Sequence, residues 1–208
     1  MTKEQLSRAR YLAYFTVGYN VVEGVVSVAF GAKDESLSLF GFGLDSFIEV
    51  GSAMVVLWRL RRESAAGSSE RHERLAVRAI GVLFLLLAVI VGAGSIFRLV
   101  RAQHPDTALP GIIISLISLS FMVFLYRAKM RLARESGSQT LRSDAVCSLA
   151  CVWLSIVLLV GSALYAAAGI WWADSLSALL IAGLIAREGW EGVSEPDGCS
   201  CGHDCKDD

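Results

Sequence analysis

The sequence is poor in what a soluble, loop-rich protein needs. Only three prolines occur in 208 residues, too little punctuation for a fold made of many short strands and tight turns. Charged residues make up 19% and hydrophobic residues 54%, against about 25% and 45–50% in ordinary soluble domains. That balance excludes intrinsic disorder. Five cysteines in a chain of this length exclude a small disulfide scaffold. A net charge of −1 argues against a nucleic-acid partner. Neither an H-E-x-x-H nor a G-x-S-x-G motif occurs, and no histidine falls inside an apolar run, so nothing points to an enzyme or to an organic cofactor.

What the chain has is long apolar runs. A membrane span takes about 20 predominantly apolar residues. Six runs qualify: Tyr11–Gly31, Ser36–Leu60, Leu75–Val100, Leu109–Tyr126, a fifth from Thr140 to Gly169, and Trp172–Gly192. They are continuous rather than alternating, which excludes a β-barrel. The expectation is an all-α, multi-pass membrane protein. Residues 1–192 form a six-helix transmembrane domain and residues 193–208 a short tail. The first ten residues are polar, and the apolar stretch after them is too long for a cleaved signal. Span one is therefore expected to be its own insertion signal.

Basic residues set the orientation. Sixteen of the nineteen Lys and Arg flank span one's start, the second and fourth connections, or the end of span six; Lys33, Arg98 and Arg101 lie on the other side. The positive-inside rule then predicts cytoplasmic termini. The plasma (inner) membrane is the expected location. Trp58, Trp171, Trp172 and Trp190 fall at span ends, where interfacial anchors belong.

Acids inside spans are costly and mark function by default. Asp45 and Glu49 lie four apart in span two, so both carboxylates share one helix face. A divalent cation between them relieves their repulsion; a single protonated acid bonded to a neighbouring helix is the competing account. Span five carries Thr140, Asp144, Cys147, Ser148 and Cys151 on one face, a set of hydroxyl, carboxylate and thiol donors. Asp144 is either part of that set, or paired with Arg142, or solvated. The cysteines read equally as small packing residues. In span one, Asn20 and Glu23 can face the same interior, as extra ligand, proton carrier or interhelical hydrogen bond. Asp174, after Trp171-Trp172, reads as an N-cap for span six. In the tail, Cys199, Cys201, His203 and Cys205 lie within seven residues. That segment is too short for a core, and thiolates with an imidazole suit Zn²⁺ or softer ions.

In order and position these features resemble the cation diffusion facilitator family of divalent-metal transporters. Ser36-Leu37-Ser38-Leu39 with Leu44-Asp45-Ser46-Phe47-Ile48-Glu49 is similar to its second helix. Arg142-Ser143-Asp144 resembles the end of its His-x-x-x-Asp element. Trp171-Trp172-Ala173-Asp174-Ser175-Leu176-Ser177-Ala178-Leu179, followed by Arg187-Glu188-Gly189-Trp190, resembles its sixth-helix signature. The resemblance implies proton-coupled export through a tetrahedral site shared by helices two and five. Asp45, Glu49 and Asp144 match three of its four ligand positions. It also implies a homodimer in the bilayer, with metal ions and protons as the other partners.

Two departures accompany it. Thr140 stands where the family has histidine, so a fourth donor must come from Cys147, Ser148, Cys151, Thr140 or water. A thiol would favour Zn²⁺ or Cd²⁺, and an oxygen donor Mn²⁺ or Fe²⁺, with Co²⁺ between them. Zn²⁺ is the expected substrate. No counterpart of the family's cytoplasmic domain follows span six in this sequence. The Cys/His tail is then a candidate substitute, and Gly92, Gly94 and Ser95 a candidate dimer surface. The alternatives are a passive channel, an uptake carrier using the same site, or a metal sensor or scaffold acting through the tail.

Overall fold

The computed structural model describes residues 3–62, 70–103, 106–137 and 139–194. These form six helices: α1 (Lys3–Lys33), α2 (Leu37–Arg62), α3 (Glu70–Val100), α4 (Leu109–Ser136), α5 (Gln139–Ala168) and α6 (Ala173–Ser194). Each contains one expected span, and several run well beyond it. α4 continues ten residues past Tyr126 and stops at Gly137, whose φ of +64° ends the helix in a left-handed turn. Pro110 sits in its first turn, where a missing N–H costs nothing.

Five of the six helices are long and apolar enough to cross a membrane. The exception is α6, expected as a span. Its uninterrupted apolar stretch lies between Asp174 and Arg187, and Glu188 and Glu191 follow. It lies along α3 and also meets α2 and α5. The outer faces of the other helices are apolar and exposed. Val89, Ile90, Val100, Leu109 and Phe124 are all more than 60% exposed, as a lipid-facing belt requires.

The main pairings are α1 with α2, α3 with α6, and α4 with α5. Leu39 and Phe42 of α2, Val91 of α3, Leu158 of α5, and Ile181 and Ile185 of α6 form the largest apolar core. Met122, Leu125, Cys151 and Val152 form a second between α4 and α5. In a bilayer such contacts gain little from leaving lipid, so close fit and small residues decide the packing. Gly92 and Gly94, expected on a dimer surface, serve this purpose within the chain. A Cβ on Gly92 would meet Ala182 at 3.8 Å and one on Gly94 would meet Leu37 at 3.0 Å. Ser95 is fully buried and donates to Val91 O at 2.7 Å. Within the chain, α6 and α2 are the helices nearest these two glycines.

Asp174 also acts elsewhere than on its own helix. It is buried in the first turn of α6, but its carboxylate closes the start of α2. Oδ1 accepts from Ser36 Oγ at 2.7 Å and from Ser38 Oγ, and Oδ2 from Leu37 N at 3.0 Å. Ser36 Oγ accepts in turn from Leu39 N at 3.3 Å, as an N-cap does. Asp174→Ala takes the acceptor from two buried hydroxyls and one partly buried backbone N–H and is expected to cost about 3 kcal/mol. The check is a lower thermal midpoint of the purified protein in detergent; an unchanged midpoint would remove the clasp.

Candidate metal centre

Asp45 and Glu49 lie on the inward face of α2, each about 5% exposed. Their i, i+4 spacing puts both on the side that meets α5 and α6. Glu49 Oε2 accepts from Cys151 Sγ at 3.0 Å, which links the α2 acid pair to the donor face of α5. Glu49 Oε1 is buried with no hydrogen-bond partner among the described residues. Buried carboxylate oxygens ordinarily have one. An unpartnered carboxyl oxygen at this point is suited to a cation.

Asp144 is buried one turn into α5. Its partner is not Arg142, which is exposed, and Asp144, at 6% exposure, is not a solvated surface acid. Lys129 of α4 donates from Nζ to Asp144 Oδ1 and to Ser148 Oγ, both at 3.0 Å. Ser148 is fully buried and donates to Asp144 O at 3.3 Å. Lys129 is also near enough to Glu49 to act on its charge, as are Glu23 and Asp144. Glu188 of α6 reaches Asp45 and Glu49 in the same way. Neither Lys129 nor Glu188 is expected from the acid pattern alone. As the side chains stand, no three His, Cys, Asp or Glu among the described residues are close enough together to hold a metal ion.

The fourth-donor candidates divide. Ser148 and Cys151 are buried beside the acids, and Cys151 is a free thiol. Cys147 is buried on the same helix. Thr140 is the second residue of α5. Cys199, Cys201, His203 and Cys205 lie outside the described residues.

A second polar group adjoins the centre on α1. Thr16, Asn20, Glu23 and Ser27 are all buried, and their spacing makes them one stripe. Glu23 accepts from Tyr19 OH at 2.8 Å and from Ser46 Oγ of α2 at 3.2 Å. The interhelical hydrogen bond weighed for Glu23 is thus present. Asn20 has neither its Oδ1 nor its Nδ2 partnered among the described residues. Farther along α5, Ser155 Oγ meets Ser118 Oγ of α4 at 3.0 Å. Polar atoms therefore continue between the helices away from Glu49.

Fold and site define an integral, multi-pass, all-helical membrane protein with ionisable groups sealed between its helices, the make-up of a transporter rather than an enzyme. The chain belongs to the cation efflux family: the cation efflux transmembrane domain matches residues 13–195. Members of this family move divalent metal ions across membranes. The chain is 25% identical over 185 residues to Transmembrane protein 163 of Xenopus laevis, covering 88% of this chain and 65% of that protein. It is 24% identical over 177 residues to the uncharacterized transporter sll1263 of Synechocystis sp., covering 82% of this chain and 57% of that protein. The chain thus spans less than two thirds of the length of either relative.

Proposed function

We propose that the protein exports Zn²⁺ or a similar divalent transition-metal ion in exchange for protons, through a site formed by Asp45 and Glu49 of α2 and Asp144 of α5. The supporting observation is the buried junction of α2 with α5. Glu49 and Cys151 touch across it at 3.0 Å, one Glu49 oxygen is unpartnered, and the region lies within the matched family domain. Carboxylates suit an exchange of this kind because the same oxygens bind either a metal ion or protons. Ser148 or Cys151 supplies the remaining donor. The thiol biases the site toward Zn²⁺ and Cd²⁺, and the hydroxyl toward Mn²⁺ and Fe²⁺.

The test is flux in proteoliposomes across Zn²⁺, Cd²⁺, Co²⁺, Mn²⁺ and Fe²⁺, with and without a pH gradient. The expected result is flux of at least one ion that rises when protons run the opposite way and falls when the gradient is collapsed. Flux indifferent to the gradient would make the protein a passive pathway. Absence of flux from folded protein would overturn the transporter reading.

A further inference from the structure

Lys129 is the least expected residue in the molecule. It is 1% exposed, and an ammonium is strongly hydrated and seldom sealed from water unless paired. Its neighbours on the same face of α4 are apolar: Met122 and Leu125 on one side, Leu132 on the other. α4 and α5 form an antiparallel hairpin about Gly137, which brings Lys129 opposite Asp144 and Ser148. Its hydrogen bonds to Asp144 and Ser148 go to the α5 half of the proposed site, and its charge also acts on Glu49 of the α2 half.

We propose that Lys129 is a tethered competitor for the transported cation. Its ammonium occupies Asp144 and Ser148 when no metal is there, and a divalent ion completes the site only by displacing it. This rests on the transporter reading above. The argument is one of space and charge. A metal ion bound to Asp144 would sit about 2.0–2.2 Å from a carboxylate oxygen, while Lys129 Nζ already stands 3.0 Å from Oδ1. A divalent ion and an ammonium on one carboxylate repel each other strongly in a site of low dielectric. Four methylenes carry Nζ, so it can leave Asp144 by side-chain rotation without moving α4. Among the described residues the acids are not gathered into a ligand set, and Asp144 is held by the lysine. Lys129 would thus lower affinity on purpose, keeping the metal releasable and the metal-free site compensated in charge.

The experiment is calorimetric binding of Zn²⁺ and Cd²⁺ to the detergent-solubilised full chain, with folding checked by circular dichroism and gel filtration. Removing a competitor that holds most of the population raises apparent affinity, so Lys129→Gln is expected to bind about tenfold tighter than wild type. In proteoliposomes its turnover should fall because release is slower. Lys129→Arg, which keeps the charge, should stay near wild type. In an Asp144→Asn background the gain from Lys129→Gln should vanish, because the competitor acts through Asp144. Unchanged or weaker binding by folded Lys129→Gln overturns the proposal. So does an equal gain in the Asp144→Asn background, which would mean a general field effect. Lys129→Met serves in the same way if the Gln variant does not fold. If neither wild type nor Lys129→Gln binds any metal, the metal centre itself is overturned and this proposal with it; binding by wild type with no gain in the variant overturns this proposal alone.

Discussion

Asp45→Ala is expected to reduce metal flux by about a hundredfold or more while leaving a protein that inserts and folds. Outer partners of metal ligands already cost 10–100-fold when removed, and Asp45 is proposed as a ligand itself. Three features support the size of the effect. Asp45 is buried, Glu49 lies one turn along the same face, and Glu188 acts on Asp45 from α6. With Asp45 gone, Glu49 and Asp144 would remain as two carboxylates, one of them held by Lys129. Folding should survive, because removing a buried acid from an acid cluster relieves repulsion. The measurement is flux in proteoliposomes at matched protein content, with insertion checked by protease protection. Wild-type flux in Asp45→Ala would place the ion path elsewhere.

A large effect on folding is expected at Gly189. Gly81 of α3 and Gly189 of α6 cross back to back. A Cβ on Gly189 would lie 2.8 Å from Gly81 O and 2.9 Å from Leu85 N, and one on Gly81 would lie 2.8 Å from Gly189 O. The obstacles are backbone atoms on both helices, so no rotamer change relieves them. Gly189→Ala must push α6 off α3, at an expected cost of about 2–3 kcal/mol. Gly183, on the same helix, has nothing within 4 Å of its Cβ position. Gly183→Ala should be neutral or stabilise slightly, because alanine is the better helix former. Thermal midpoints of the two variants in detergent give the comparison. Equal midpoints would mean that the helices do not meet at these glycines.

Much of the architecture was legible because a bilayer imposes length and apolarity directly on sequence. All six helices lie where the apolar runs predict them, and the buried acids Glu23, Asp45, Glu49 and Asp144 stand out as charges in apolar surroundings. The misses share one cause: a residue read by its neighbours in sequence rather than by its helix face. Lys129 stands among Arg127, Arg131 and Arg134, which are exposed, and so reads as one more cytoplasmic charge. Helical spacing tells it apart, since Met122, Leu125, Lys129 and Leu132 make a single buried row. Glu188 reads as part of a polar span end next to Arg187. Asp174 stands at the start of α6 and reads as that helix's own cap, because sequence shows the residue after an acid but not the helix end that chain folding brings beside it.

The Asp174 clasp has a mechanical meaning. It ties the starts of α2 and α6 through three hydrogen bonds, and α6 in turn is interlocked with α3 at Gly81 and Gly189. α4 and α5 form their own tight hairpin. The proposed ligands are divided between these parts, Asp45 and Glu49 on α2 and Asp144, Ser148 and Cys151 on α5. The clasp and the Gly81–Gly189 crossing fix α2, α3 and α6 to one another, so a change in distance between the ligands of α2 and those of α5 would be taken up where α5 meets α2 and α6. Parting α5 from α2 would then separate Asp144 from Asp45 and Glu49, so that opening the proposed site and releasing its ion would be a single displacement.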